Sequence, residues 1–320
     1  MPTLQFKEVS VIESNPERAM NGPHYVPHPI PYQGSKRLIA PTILAYSPRN
    51  FARLVEPFAG SAAVSLAAAF RRRAESFWLN DAHVPLIRLW REILQRPAAL
   101  AHAYARLWKS QQGREREFFD EIRSRFNRKH APPDFLYLLA RCVKAAIRYN
   151  SSGEFNNTPD NRRLGARPDE MRRRILGAAE LLARRTHLTA QDYRSVLADC
   201  EQGDLIYMDP PYQGVCGDRD QRYAPKMMHD QFCCELECLN RRGLMYVVSY
   251  DGRTGEKQYG EPLPADLGLL HLEIRVGRST QATLLGRSCT TYESLYLSPS
   301  VQRRLPRHVK SAEQLELALG

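Results

Sequence analysis

The stretch Val55-Glu56-Pro57-Phe58-Ala59-Gly60-Ser61-Ala62-Ala63-Val64 does most to limit what this chain can fold into. It follows the apolar run Phe51 to Val55 and opens an alanine-rich run to Phe70, which reads as strand, glycine turn, helix. In an open α/β sheet a nucleotide-like ligand settles beyond the carboxyl end of such a strand. Gly60 lacks a Cβ and lets the backbone approach that ligand closely. A second strand-like run, Phe77-Trp78-Leu79, ends in Asn80-Asp81, where an acid can accept both hydroxyls of a ribose. No G-x-G-x-x-G is present, which argues against a dinucleotide and for a nucleoside without pyrophosphate. Alone, each segment also reads as an ordinary α/β turn with Asp81 as a helix cap.

A third signal is Asp209-Pro210-Pro211-Tyr212, which closes the apolar run Leu205-Ile206-Tyr207-Met208. Two prolines end a strand there, because neither donates to a ladder and both fix φ. The strand then presents a carboxylate, free backbone carbonyls and an aromatic ring. An amine on a flat heterocycle needs such acceptors and such a stacking platform. A strand stopping in a Pro-Pro turn is the simpler alternative for the tetrapeptide by itself.

Pro31-Tyr32-Gln33-Gly34-Ser35-Lys36, VEPFAGSAAV, the LND ending in Asp81, Arg148-Tyr149-Asn150 with Gly153-Glu154-Phe155-Asn156, and the DPPY tetrapeptide follow in that order within residues 30 to 297. In this the chain resembles the Dam-type family of DNA adenine-N6 methyltransferases, α-class in motif order. The RYN…GEFN element is the more specific marker, since DPPY-like tetrapeptides also serve amino-methylating enzymes acting on RNA or protein. The resemblance implies S-adenosyl-L-methionine as cofactor, with contacts from Tyr32, Lys36, Phe58, Ala59, Gly60, Ser61, Asp81, Asp192, Tyr193 and Asp209. It implies catalysis by Asp209, Pro210, Pro211 and Tyr212 on an adenine flipped out of double-stranded DNA. Asp209 and the Pro210 carbonyl would accept from N6, and Tyr212 would stack on the base. One departure stands out. The family's turn carries a second glycine where this chain has Ala62, a substitution that fits only if φ is negative there.

Outside these motifs, further strands are expected near 188–190, 244–249, 269–276 and 292–297. A helix-rich stretch spans 84–147, and an amphipathic helix runs from Glu170 to about Arg185. The expected fold is α/β: a doubly wound, mostly parallel sheet, class I methyltransferase-like, with an inserted helical DNA-recognition block. Residues 30–82 and 186–300 would form the catalytic domain and 83–185 the insertion. Residues 1–29 and 301–320 would be tails.

The net charge of +11 favours a polyanionic partner. The resemblance sets the RYN…GEFN element beside the DNA, so within the insertion Arg148, Asn150, Asn156 and Asn157, with Arg162 and Arg163 around the same loop, are the candidates for DNA contact. No apolar stretch nears 18 residues and no leader is evident, so a cytoplasmic protein without membrane association is expected. Seven cysteines fit reduced thiols, and although Cys233 lies four residues after His229, no metal is expected. A monomer on DNA, with a cognate restriction endonuclease as a further partner, completes the expectation. An RNA or protein amino-methyltransferase, a cytosine-N4 enzyme and a catalytically silent DNA-binding module are the alternatives.

Overall fold

A computed structural model describes residues 10–13, 25–211, 229–254, 257–278 and 290–305. Nine strands form one sheet: β1 (Ser10–Glu13), β2 (Phe51–Glu56), β3 (Ala74–Asn80), β4 (Thr186–Thr189), β5 (Asp204–Met208), β6 (Met245–Thr254), β7 (Lys257–Tyr259), β8 (Leu270–Arg278) and β9 (Thr290–Leu297). Their order is β1-β8-β9-β6-β5-β2-β3-β4, with β7 paired to β6. The run β4-β3-β2-β5-β6 is parallel throughout, whereas β9 lies antiparallel to both β6 and β8. All five residues of β5 are buried, as a strand covered on both faces requires. The order reverses between β2 and β5, so the crevice beyond their carboxyl ends is where a ligand of such a sheet settles.

Helices α1 (Ala40–Ala45), α2 (Ala63–Phe70), α3 (Val84–Gln95), α4 (Pro97–Ser110), α5 (Glu115–Lys129), α6 (Pro132–Arg141), α7 (Pro168–Leu182), α8 (Tyr193–Ala198), α9 (His229–Arg241) and α10 (Pro299–Arg304) complete the described fold. A 3₁₀ turn at Lys36–Leu38 precedes α1, and Pro41 sits in the first turn of α1, where a missing N–H costs nothing. Helices α3 to α7 all fall between β3 and β4, and α7 packs on α2, α3 and α4. One hydrophobic cluster runs from Leu54 and Leu205 in the sheet through Trp90 and Tyr104 to Phe126 and Phe135. The inserted helices therefore share a core with the sheet.

Both expected tails are shorter than proposed. β1 pairs in parallel with β8 and belongs to the sheet, and Ile30 is buried just before the first motif. At the other end α10 runs through the boundary drawn at 301. Ser298 caps it by accepting from the Val301 N–H, and Val301 and Leu305 are buried. A buried helix end anchored this way belongs to the domain. Tyr212 and residues 279–281, 287 and 288 lie outside the described residues. Among the described residues no helix is long and apolar enough to cross a membrane.

Candidate active site

The glycine turn after β2 is held from three sides. The Ala59 N–H donates to the Asn80 carbonyl at 2.7 Å, the Gly60 N–H to Asp81 Oδ2 at 3.0 Å, and Trp90 Nε1 to the Gly60 carbonyl at 3.0 Å. Gly60 has φ +49°, and a Cβ there would come within 3.1 Å of the Tyr32 ring. Both the backbone conformation and the close approach thus require glycine. Ser35 and Ser61 share a hydroxyl hydrogen bond of 2.8 Å, which ties the amino-terminal motif to the same turn.

Ala62 departs from expectation. Its φ is +48°, left-handed, and it is fully buried at the start of α2. The premise that alanine fits there with negative φ is wrong. The position demands the geometry that glycine adopts without strain, and the chain carries the strain instead.

Asn80 locks the strand ends around this turn. Its amide nitrogen donates to the carbonyls of Pro57 and Gln191, and its oxygen accepts from the Thr189 hydroxyl and the Gln191 N–H. Next to it Asp81 accepts from Gly60 through Oδ2 and from the His83 N–H through Oδ1 at 2.9 Å. Burial raises its pKa, and those two backbone donors oppose the rise. Each oxygen keeps a second lone pair for a hydroxyl donor. Across the crevice the rings of Phe58 and Tyr193 lie 5.1 Å apart, tilted by 34°. Asp192 is exposed and caps α8 while paired to Arg194 at 2.8 Å; that hydrogen bond and charge keep its carboxyl below its ordinary range.

Asp209 follows β5. Lys36 Nζ, itself buried, lies 3.0 Å from Asp209 Oδ1 and 3.2 Å from Glu293 Oε2 on β9. Burial raises Asp209 to about 6; Lys36 pulls the other way and Glu293 adds to the rise. Glu56, at the end of β2, is also buried and accepts from the Ser65 N–H at 2.7 Å. Burial holds its carboxyl up at about 8, with a lesser push from Asp209. The corner thus sets two carboxylates on one ammonium, with a third, Glu56, close to Asp209. Pro210 is buried and Pro211 exposed.

The RYN…GEFN element is a tight hairpin. Tyr149 pairs with Phe155 in an antiparallel bridge, and the Asn150 N–H donates to the Glu154 carbonyl at 2.9 Å. Asn150 Oδ1 accepts from the N–H groups of Ser152 and Glu154, so this side chain builds the turn. Phe155 is buried edge-on against Phe126 and Phe135. The Tyr149 hydroxyl is hydrogen-bonded to His83 Nε2 at 2.6 Å. Burial lowers His83 to about 4, so its ring is neutral at pH 7.

Arg148, Asn156, Arg162 and Arg163 are exposed beside this hairpin. Asn157 is not: it is buried, and its amide donates to the Ala146 carbonyl. It braces the hairpin's base and is withdrawn from the contact candidates. The arginines of α5 are also partly committed. Arg125 forks onto the buried Asp134, and Arg123 pairs with Asp120 at 3.0 Å. An open groove between α5 and the hairpin is lined by Arg123, Asn127, Arg128, Asn150 and Asn156.

Residues 32–232 match the model of the D12 class N6 adenine-specific DNA methyltransferases. The chain belongs to this family. Among curated relatives it is 33% identical over 193 residues to the retron Ec67 DNA adenine methylase of Escherichia coli, covering 58% of this chain and 63% of that protein. It is 30% identical over 191 residues to the DNA N-6-adenine-methyltransferase of Escherichia phage P1, covering 57% of this chain and 23% of that protein. The DNA adenine methylase of Serratia marcescens is 28% identical over 163 residues, 50% of this chain and 57% of that protein. The chain therefore spans less than two thirds of the length of each of these relatives.

The family's motifs meet in space where sequence order alone could not show it: Tyr32, Lys36, Gly60, Ser61, Asp81 and Asp209 share one corner. Two residues at this corner escaped the sequence reading. His83 could have been flagged by its position two residues after Asp81, where a backbone N–H reaches an aspartate side chain. Glu293 carried no local signal: it lies beyond the family match, and its partner Lys36 is near the other end of the chain.

Proposed function

We propose that this chain transfers a methyl group from S-adenosylmethionine to N6 of an adenine flipped out of double-stranded DNA. The observation that carries the reading is Asp209 at the end of β5, half-buried against Lys36 and beside the Gly60–Asp81 turn.

The residues present suit that cofactor. Asp81 retains acceptor capacity for ribose hydroxyls, the Phe58–Tyr193 pair offers aromatic faces to a purine, and Gly60 leaves room at the turn. When bound, S-adenosylmethionine supplies the methyl group on a sulfonium. The chain's own part is orientation. The adenine amino lone pair is delocalised into the ring and nucleophilically weak. The Asp209 carboxylate and the Pro210 carbonyl accept its two N–H bonds, draw the nitrogen toward sp³ geometry and localise that pair. With Asp209 raised to about 6, the carboxylate form dominates at pH 7. The exposure of Arg148 and Asn156 beside the groove along α5 supports DNA contact on that side. Phosphate contacts there give salt-dependent affinity, and a bidentate contact reads a base.

Transfer of labelled methyl from S-adenosylmethionine to duplex DNA, RNA and protein in parallel tests the substrate. Label in N6-methyladenine of duplex DNA is expected. Label confined to RNA, protein or cytosine would replace this reading. Asp209→Ala is expected to lower kcat by about a hundredfold to a thousandfold, the scale of a lost polar group aimed at a reacting atom. Cofactor affinity should change little, and an active Asp209→Ala enzyme would remove the central role assigned here.

A further inference from the structure

Lys36 poses an electrostatic difficulty. A buried ammonium 3.0 Å from Asp209 Oδ1 competes for the lone pairs that the target amine must use, and cancels the charge that makes them good acceptors. We infer that Glu293 is a positioning residue that relieves this: it shares the Lys36 ammonium and leaves the Asp209 carboxylate an available, negatively charged acceptor. The inference rests on the reading of Asp209 as the acceptor of the target amine.

Three observations support it. Lys36 Nζ lies between the two carboxylates at nearly equal distances, 3.0 and 3.2 Å, so neither owns it. The contact to Glu293 works through charge: Oε2 is buried and accepts no aligned hydrogen bond, although it stands within ion-pair range. Third, the arrangement is over-supplied with acid. From β2 comes Glu56, which keeps its proton up to about pH 8 and is uncharged at 7. Tyr207 on β5 is hydrogen-bonded to Ser249 on β6 at 2.9 Å, and burial keeps it a neutral phenol. With those two silent, Asp209 and Glu293 are the charged acids that the described residues set against Lys36, one more negative charge than positive among these three groups. Methyl transfer from a sulfonium leaves positive charge on N6, which such a corner stabilises. Without Glu293 the corner would be neutral, and the ammonium would settle on Asp209.

Glu293→Gln separates charge from position, since the amide oxygen can still face Lys36. Two measurements on the full chain decide the matter. The first needs no activity: the Asp209 carboxyl is titrated by carbon NMR, assigned with Asp209→Asn. Glu293 pushes Asp209 upward, so its midpoint is expected to fall in Glu293→Gln. The second is the pH profile of methyl transfer. The acid limb should move to lower pH while the plateau kcat drops about tenfold or more, with KM for DNA and calorimetric cofactor affinity within about threefold, and Glu293→Asp should recover most of the plateau. A merely structural role would lower activity without moving the limb. An unmoved Asp209 midpoint, or an unchanged plateau, overturns the inference. A wild-type chain that methylates no DNA while the midpoint still falls would instead overturn the proposed function and leave the charge arrangement standing.

Discussion

The Lys36–Asp209 corner and the 149–155 hairpin solve opposite problems. At the corner, Lys36 and Glu56 are buried, Asp81, Asp209 and Glu293 are half-buried, and the Asp209 and Glu293 carboxylates share the Lys36 ammonium. In the hairpin the turn is held by local hydrogen bonds. Asn150 alone closes the turn with two backbone hydrogen bonds, and Tyr149 and Phe155 anchor it into an aromatic cluster. Burial tunes chemistry in the first region, and local satisfaction presents exposed side chains in the second. The two meet at His83, whose N–H holds Asp81 and whose ring holds Tyr149.

The largest expected effect that tests this contrast is at Asp81. Asp81→Ala removes an acceptor whose hydrogen bonds to hydroxyls are each worth about 1.5–3 kcal/mol when charge-assisted. Cofactor affinity measured calorimetrically should fall by at least about tenfold, since about 1.4 kcal/mol is a factor of ten. DNA affinity should barely change. If cofactor affinity survives, the corner does not hold a ribose and the division of labour fails.

Next in size is Tyr149→Phe. It deletes the 2.6 Å hydrogen bond to His83 Nε2, and His83 Nδ1 already lacks a partner. Leaving both nitrogens of a buried imidazole unsatisfied costs about 1–3 kcal/mol of stability. DNA binding should weaken while cofactor affinity holds, because the Asp81–His83 bond uses the backbone. A matching loss of cofactor affinity would show that the two regions are coupled through His83 and break the comparison as drawn.

Glu56 gives a smaller and pH-dependent test. Its carboxyl rises from an ordinary 4.5 to about 8 in the fold, so the folded chain keeps a proton that the unfolded chain releases. Its contribution is complete below about pH 4.5 and drains away as pH climbs through about 8. Glu56→Gln keeps an acceptor for the Ser65 N–H without that titration. Urea midpoints of variant and wild type should coincide near pH 4.5 and separate steadily toward pH 9, with the variant more stable. Parallel curves would mean that Glu56 is solvated and that burial does not govern this corner.

What the amino-acid sequence showed of this molecule follows the same contrast. Strands such as Leu205–Met208 were legible because a parallel strand buried on both faces reads as an unbroken apolar run. The motif residues were legible because the turn chemistry of Pro57, Gly60 and Pro210 is local. Boundaries were less so: nothing in Ser10–Glu13 or in Val301 announces that a strand or a helix end docks there, since docking depends on β8 and on the core. Asn157 looked like its neighbour Asn156, and only the fold turns one inward and the other out. Glu293 was invisible because its meaning is a distance to Lys36, not a pattern.

The smallest effect concerns the strain at Ala62. A left-handed conformation costs a non-glycine residue about 1–2 kcal/mol, which Ala62→Gly would release. Against this stands the buried methyl, worth about 0.8 kcal/mol, and the greater freedom of glycine in the unfolded chain, worth about 0.4–1 kcal/mol. With φ at +48° and the side chain fully buried, these terms nearly cancel. Ala62→Gly should therefore change stability by less than about 1 kcal/mol in urea unfolding. A larger loss would mean that the methyl is a packing element of α2 and that the second glycine of the family's turn has been replaced for the sake of the core. A gain beyond that would locate real strain in the turn and make the corner, already crowded with charge, the place where this fold carries its conformational cost as well.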